Sequence, residues 1–214
     1  MSRRAPAAAA LCFALAACAP TDGGHHGQDF SDAEKWARIF DDPEREAWQK
    51  PDGVIRTLRL PAEATVADIG AGTGYFAVRL ARAVPSGRVF AVDAEPDMVR
   101  YLGERARLAG LANLVPVQAE PNDPKLPAPV DVVLVVNTYH HIAGRVEYFR
   151  RLRASLKPGG RVAIIDYRPE APAGPPPAMR IASAAVTQEL VRAGYVLVGT
   201  HSLLPYQYFL VFAG

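Results

Sequence analysis

Cysteine is almost missing from this sequence. The 214 residues contain two cysteines, Cys12 and Cys18, and neither lies beyond the first 18 positions. The rest of the chain has no thiol to form a disulfide, to hold zinc through thiolates or to act as a sulfur nucleophile. The sequence predicts no metal site.

An excess of charge of one sign is also lacking. The chain has 24 basic and 22 acidic residues, and two of the basic residues, Arg3 and Arg4, lie in a segment predicted to be removed. The mature chain is then neutral, and it has no run of lysine and arginine long enough to bind a phosphate backbone. We therefore expect a small-molecule substrate and no nucleic-acid partner.

A hydrophobic run long enough to cross a membrane is not present either. The apolar stretch from Ala7 to Ala17 is too short to span a bilayer, and it follows the basic pair Arg3-Arg4. Residues 1–17 are therefore predicted to be an export signal. Twin arginines also occur in signals for the export of folded proteins, so the export route stays open.

The apolar stretch ends in Leu15-Ala16-Ala17-Cys18, which resembles the lipobox of bacterial lipoproteins. In such proteins the signal is cut before the cysteine, and the cysteine is acylated. The resemblance implies a protein anchored to a membrane through Cys18, in the bacterial cell envelope on the periplasmic side. The alternative is an ordinary secretory signal that contains a cysteine by chance.

The chain after the signal divides into a tether and one domain. Residues 18–29 are short, polar and rich in glycine and histidine, which is typical of a flexible tether, and a solvated linker is favoured there over a weak metal site at His25 and His26. Residues 30–214 form the predicted domain, with a helical cap at 30–60. Trp36, Phe40 and Trp48 in this cap either fold over the mouth of a binding site or cover the edge of a sheet.

Short apolar strands alternate with helical stretches from Val66 onward, which predicts an α/β fold with a Rossmann-like, doubly wound sheet. The predicted strands are 65–69, 88–93, 114–118, 130–137, 161–167, 195–201 and 206–212, and the predicted helices are 75–84, 96–109, 145–156 and 181–193. The sheet is expected to be mostly parallel. Its last two strands, joined by a turn at Leu204-Pro205, are expected to form an antiparallel hairpin.

A glycine-rich loop joins the first predicted strand to the first helix of this unit. The sequence Asp68-Ile69-Gly70-Ala71-Gly72-Thr73-Gly74 has the spacing G-x-G-x-G, and Asp93 ends the next strand 19 residues after Gly74. Glycines at such a turn let a ligand lie against the backbone. A carboxylate at the end of the following strand, where Asp93 lies, is typical of a ribose-binding site. The alternative is that Asp93 caps the helix that begins near Glu95-Pro96.

These residues resemble the S-adenosylmethionine site of the class I methyltransferase superfamily, from about residue 52 to the C-terminus. The resemblance implies that S-adenosylmethionine is the cofactor, with Asp68 near its amino group and Asp93 on its ribose. It places Glu120 against the adenine, with Asn122 or Asp123 as alternatives. The remaining expected cofactor contacts are Gly70, Ala71, Gly72, Gly74, Ala94 and Asn137.

Two further segments resemble parts of these enzymes. Residues 156–161, Leu-Lys-Pro-Gly-Gly-Arg, resemble the turn that precedes the fifth strand. A nearer resemblance, carried by Phe40-Asp41-Asp42-Pro43 and Pro205-Tyr206-Gln207-Tyr208, is to exported bacterial methyltransferases of unassigned substrate.

Polar residues are concentrated at the end of the fourth strand, where strand ends surround the ligand in such sheets. Tyr139, His140 and His141 are the candidate catalytic residues, because methyl transfer to oxygen or nitrogen requires removal of a proton and histidine titrates near neutrality. The alternative is that the histidines cap the next helix and pack structurally. The loop 168–178, which contains five prolines, is expected to border the substrate pocket or to be solvated.

The sequence leaves three classes of function open. The first is a methyltransferase, and the second is a module of the cell envelope that binds the cofactor or its demethylated product without catalysis. The third, a nicotinamide dehydrogenase, is disfavoured, because the loop is not G-x-G-x-x-G and none of the four lysines completes a Tyr-x-x-x-Lys pair.

Overall fold

The computed structural model describes residues 29–214. The predicted signal peptide, nearly all of the predicted tether and the predicted acylation site Cys18 lie outside the described residues. The helices are α1 Ala33–Phe40, α2 Arg45–Gln49, α3 Pro51–Leu58, α4 Ala77–Ala83, α5 Pro96–Leu108, α6 Arg145–Arg153 and α7 Ser183–Arg192. The strands are β1 Thr65–Ile69, β2 Arg88–Asp93, β3 Leu114–Gln118, β4 Val130–Val136, β5 Leu156–Tyr167, β6 Val196–His201 and β7 Gln207–Ala213.

The strands form one sheet in the order β3-β2-β1-β4-β5-β7-β6. The first five positions are parallel, and β7 pairs antiparallel with both β5 and β6. The predicted α/β class, the mostly parallel sheet and the antiparallel C-terminal hairpin are confirmed. Strand β7 is buried along nearly its whole length and β6 is largely exposed, so β7 lies inside the sheet and β6 forms its edge.

The fifth strand begins earlier than predicted. Residues 156–161 are part of β5 and do not form a separate turn. Val130 pairs with Leu156 and Val132 pairs with Arg161, so the extra residues are accommodated as an irregularity in the ladder. The glycines and the proline of this segment predict a turn. In the structure they lie in a bulge, and the strand continues through it.

Apolar side chains cover both faces of the sheet. One cluster joins Leu80 and Leu102 of α4 and α5 to one face, and the other joins Phe149 and Leu190 of α6 and α7 to the opposite face. Because both faces are closed by helices, a ligand of the sheet is expected at the ends of the strands.

The cap consists of three short helices. The segment that carries Trp36, Phe40 and Trp48 is broken near Pro43, between α1 and α2. Helix α1 is fixed to α5, where the backbone N–H of Ala33 donates to the Asp97 carboxylate at 2.8 Å. No helix in the described part of the chain has the length and apolar character needed to cross a bilayer.

Candidate active site

A cavity of about 950 Å³ lies at the carboxyl ends of β1, β2 and β4. Trp36, Phe40 and Trp48 of the cap line it, so the cap lies over the mouth of the site and does not only cover an edge. Pro175 and Pro176 of the proline-rich loop line it as well. The predicted site residues that line the cavity are Asp68, Gly70, Ala71, Gly72, Asp93, Ala94, Glu120, Asn137, His140 and His141.

The glycine-rich loop is held in a conformation that requires glycine at its first position. Gly70 has φ +70°, and a Cβ atom there would lie 2.2 Å from the Thr138 hydroxyl oxygen. The backbone N–H of Gly72 donates to the Asp93 carboxylate at 2.8 Å. The loop is therefore fixed before a ligand enters.

Asp93 connects the loop to the start of α5. One carboxylate oxygen accepts from Gly72, and the other accepts from the backbone N–H of Glu95 at 3.0 Å. Glu95, not Asp93, is the residue at the N-cap of α5. Asp93 remains partly accessible in the cavity, as a residue that binds ribose hydroxyls must be, and burial raises the pKa of its carboxyl group.

Asp68 is a buried acid that faces the same cavity. Its side chain is 3% exposed, and its Oδ2 atom has no hydrogen-bond partner within residues 29–214. Burial, and then repulsion by Asp93, raises the pKa of Asp68 to about 7, although the charge of Arg45 acts in the opposite direction. An unsatisfied buried carboxylate oxygen fits an ammonium group, which is what the amino end of S-adenosylmethionine carries.

Glu120 is the one of the three adenine candidates that lines the cavity; Asn122 and Asp123 do not. Its carboxylate pairs with Lys125 at 3.1 Å on the surface. Met98, Ala119 and Pro121 line the cavity beside it and provide apolar surface for a flat ring.

Two predicted site residues lie elsewhere. The prediction of Tyr139 as a catalytic residue is corrected, because this side chain is fully buried outside the cavity and donates its hydroxyl to Glu189 at 2.5 Å. Gly74 does not line the cavity either. A Cβ atom at Gly74 would lie 2.8 Å from Leu102, so its small size serves the packing of the loop against α5.

His140 forms a buried pair with Asp166, which the sequence analysis did not identify. The Nδ1 atom of His140 lies 2.8 and 3.0 Å from the two Asp166 carboxylate oxygens, and the side chains are 4% and 2% exposed. Asp166 is the acid near the end of β5, which lies beside β4. The sequence offered one signal for this residue, namely a single acid at the end of an otherwise apolar strand. His141 is partly exposed, and its ring lies 4.2 Å from that of His140.

Three amide side chains join the cap to the sheet. Gln49 donates to Gln207 at 2.5 Å, Gln207 donates to Asn137, and Asn137 donates back to Gln49 at 3.4 Å. The amide of Asn137 therefore bonds to other residues of the protein. Its backbone is in the left-handed region, with φ +56°. Gln49 and Gln207 were not predicted, because nothing local in the sequence distinguishes them.

No group of three or more metal-ligating side chains within residues 29–214 is arranged to hold a metal ion. The polar groups that face the cavity are instead the loop, the acids and the histidines described above.

Comparison with known proteins agrees with this geometry. A sequence model of the methyltransferase domain matches residues 66–160. A ubiquinone/menaquinone biosynthesis C-methyltransferase of Pseudomonas putida (strain GB-1) is 34% identical over 107 residues, which are 48% of this chain and 41% of the relative. The chain thus spans about two fifths of the length of this curated relative.

Solved structures match over more of the chain. A SAM-dependent methyltransferase from Aquifex aeolicus superposes with a TM-score of 0.77 and 28% identity, covering 85% of this chain and 98% of that one. A magnesium protoporphyrin IX methyltransferase from Synechocystis PCC 6803, crystallised with bound SAM, has the same fold, with a TM-score of 0.63 and 19% identity over 84% of this chain and 89% of that one. These matches show a methyltransferase domain over residues 66–160 and the fold of S-adenosylmethionine-dependent methyltransferases over most of the chain, and they support S-adenosylmethionine as the cofactor.

Proposed function

We propose that this protein transfers the methyl group of S-adenosylmethionine to an oxygen or nitrogen atom of a small-molecule acceptor. One observation carries the proposal. His140, which is paired with the buried Asp166, lines the same cavity as the glycine loop and Asp93. A group able to accept a proton therefore lies in the cavity that takes the cofactor.

S-adenosylmethionine supplies a methyl group activated by a positive sulfur. The lone pair of the acceptor atom forms the new bond to the methyl carbon while the carbon–sulfur bond breaks and the sulfur keeps its electron pair. A hydroxyl or amine acceptor must also lose a proton. Asp166 holds Nδ1 of His140 as a donor, so Nε2 is the atom that accepts this proton.

The walls of the cavity favour a small and largely apolar acceptor. The residues expected to bind the ribose and the adenine lie at the ends of β2 and β3, which leaves room for the acceptor beside the ends of β4 and β5. Ile142, Tyr148, Tyr167 and Pro175 line the cavity there beside the two histidines. The volume of about 950 Å³ is at the upper end of the range for small-molecule sites, so it has room for a cofactor and one small acceptor.

We also propose that the protein works in the bacterial cell envelope, anchored through an acylated Cys18. The support is the sequence alone, namely a basic start, a short apolar run and the lipobox-like Leu15-Ala16-Ala17-Cys18.

The cofactor part of the proposal is tested by titration calorimetry with S-adenosylhomocysteine. The wild-type protein should bind this product, and Asp93→Ala should weaken binding by about ten- to a thousandfold, because two charge-assisted hydrogen bonds to the ribose are lost. Glu104→Ala, which removes an exposed acid of α5, should leave the affinity unchanged.

Turnover is tested by transfer of labelled methyl groups to a panel of small phenols and amines. Formation of a labelled product that depends on the acceptor supports the methyltransferase. Binding of the cofactor with no transfer to any acceptor would favour the non-catalytic module, and unchanged affinity in Asp93→Ala would contradict the ribose assignment.

A further inference from the structure

The edge of the sheet opposite the cavity carries an excess of positive charge. The parallel strands begin at this edge, and the helices that lead into them end there. Exposed arginines come from these helix ends and from the start of β2, and we call the surface that they form the amino face. They are Arg59, Arg82, Arg88, Arg107, Arg153 and Arg192.

These arginines are not neutralised by the protein itself. Within residues 29–214 none of the six side chains forms an ion pair or donates a hydrogen bond. The helix dipole favours a cation at a helix C-terminus, but it leaves the charge exposed to solvent. Nearby, Lys157 and Asp131 form a neutral pair at 2.7 Å, and Glu63 adds one negative side chain in the turn before β1. The amino face therefore keeps a net positive charge.

The cap has the opposite balance of charge. Residues 29–50 contain seven acids and four bases, and the exposed Asp32, Asp42 and Glu44 form no ion pair within the described chain. A chain that is neutral after residue 18 is thus positive at the amino face and negative around the mouth of the cavity. No basic run in the sequence predicts this separation, because the fold collects arginines scattered from residue 59 to residue 192.

Two exposed aliphatic side chains lie among the arginines. Leu108 near the end of α5 is 71% exposed, and Val196 at the start of β6 is 64% exposed. Aliphatic side chains beside cations suit the headgroup region of a bilayer, whereas surfaces that bind single-stranded nucleic acid use aromatic side chains for stacking. The arginines are also distributed along a seven-stranded sheet, roughly 30 Å wide, so a small anion cannot contact all of them. An extended anionic surface can.

We infer that the amino face docks on the surface of a membrane that contains anionic phospholipid. Its arginines then lie against lipid phosphates, Leu108 and Val196 enter the headgroup region, and the mouth of the cavity faces away from the lipid. This interaction goes beyond methyl transfer and does not depend on acylation of Cys18. Salt screens such binding, so it orients the domain and does not replace a covalent anchor.

An anchor at Cys18 is compatible with this orientation. Eleven positions separate Cys18 from Asp29, which lines the cavity, and an extended chain of that length spans at most about 36–40 Å. The sheet is about 23 Å high at β4, which has seven residues. The chain is therefore long enough for an acylated Cys18 to reach the same membrane that the amino face contacts.

The test measures sedimentation of the full-length protein with lipid vesicles. Cys18→Ser is present throughout, so that no acyl chain contributes. The protein should bind vesicles of phosphatidylcholine and phosphatidylglycerol at least about tenfold more tightly than vesicles of phosphatidylcholine alone, and added salt should remove the difference.

Variants then assign the binding to the amino face. Replacing Arg59, Arg88 and Arg107 together by Gln should weaken binding to the anionic vesicles by about a hundredfold, because each arginine near such a surface contributes about fivefold. The matched control replaces three exposed cations of the cap, Lys35, Arg38 and Lys50, by Gln. It removes the same charge and should leave the binding unchanged. Both triple variants should keep the wild-type melting temperature.

The aliphatic contact is tested separately. Leu108→Ser should weaken binding to anionic vesicles by about three- to tenfold without changing its dependence on salt, because apolar burial is lost and no charge is removed. Ile39→Ser is the control, since Ile39 lies in the cap and is 55% exposed. It should not alter vesicle binding.

Other outcomes overturn the inference. Equal losses in the two triple variants would show that net charge matters and the amino face does not. Equal binding to vesicles with and without phosphatidylglycerol would assign the interaction to the apolar run of residues 7–17. Tighter binding to RNA or duplex DNA than to anionic vesicles at the same salt concentration would make nucleic acid the partner of the amino face.

Discussion

Asp166 has a full set of donors although it is almost inaccessible to water. Its carboxylate accepts from Nδ1 of His140, from the backbone N–H of His140 at 3.3 Å and from that of Tyr167 at 2.8 Å. These bonds fix both the orientation and the tautomer of the imidazole. In the proposed reaction such a carboxylate acts through the histidine, so Asp166 would be a positioning residue.

We expect His140→Ala and Asp166→Asn to lower kcat by about a hundred- to ten-thousandfold, because the proposed general base is lost or misoriented. The affinity for S-adenosylhomocysteine should stay near the wild-type value, since neither side chain belongs to the predicted cofactor contacts around the ribose. His141→Ala is the control and should have a smaller effect on kcat. A normal kcat in both His140→Ala and Asp166→Asn would show that another group accepts the proton.

Asp68 makes the stability of the ligand-free protein depend on pH. Its pKa is about 7 in the folded protein, against an ordinary value of 3.8, first because of burial and then because of Asp93. The folded protein thus binds this proton more tightly than the unfolded chain does. The corresponding stability is fully present below about pH 4 and is lost as the pH rises through about 7.

Asp68→Asn should therefore raise the melting temperature of the ligand-free protein at pH 8 by several degrees and flatten its dependence on pH between 5 and 8. The same variant should bind S-adenosylhomocysteine more weakly, because an amide attracts an ammonium group less than a carboxylate does. Asp131→Asn, which changes an acid paired with Lys157 away from the cavity, should not raise the melting temperature. A lower melting temperature for Asp68→Asn at pH 8 would contradict this reading of Asp68.

At the scale of elements, the position of the cap depends on few contacts. Helix α2 is only five residues long, and such a short helix is stable only when tertiary contacts hold it. Gln49 and Gln207 are both fully buried, so their amides must satisfy each other. The pair joins α2 to β7 across 158 positions of sequence.

Gln49→Leu should lower the free energy of unfolding by about 1–3 kcal/mol, because the amides of Gln207 and Asn137 lose a partner in a buried place. It should also weaken binding of S-adenosylhomocysteine, since α2 carries Arg45 and Trp48 into the cavity. Urea unfolding and calorimetry measure the two effects. Gln188→Leu, a change on the exposed face of α7, should alter neither quantity, and an equal loss in both variants would remove the special role of Gln49.

At the scale of the whole molecule, the attachment of the domain to a membrane remains a prediction from residues 1–29. We expect Cys18→Ser to release the protein from the membrane fraction or to leave its signal uncut. Fractionation and mass spectrometry of the N-terminus measure this. An unmodified Cys18 in protein taken from membranes would contradict lipid anchoring, and Cys12→Ser should have no effect in either case.

The local pattern of the sequence was sufficient for the parallel part of the fold. The apolar runs of β1, β2 and β4 are short and are flanked by polar residues, glycine or proline. The positions of these strands can therefore be predicted from residue type alone. The segment 156–161 was wrongly predicted to be a turn. Glycine and proline occur in both turns and bulges, and the pairing with the neighbouring strand decides which of the two forms. The cap was predicted as helical, but its break near Pro43 and its contacts were not located.

The sequence by itself determined the class of fold, the glycine loop and the place of Asp93, because each depends on residues that are close in the chain. Only the tertiary structure decided that Tyr139 turns away from the cavity, that Asp166 holds His140 and that Arg45 of the cap lines the cavity. The physical reason is distance along the chain: His140 and Asp166 are 26 positions apart, and nothing in either local segment specifies the other. Pairing of this kind exists only after β4, β5 and the cap have packed together.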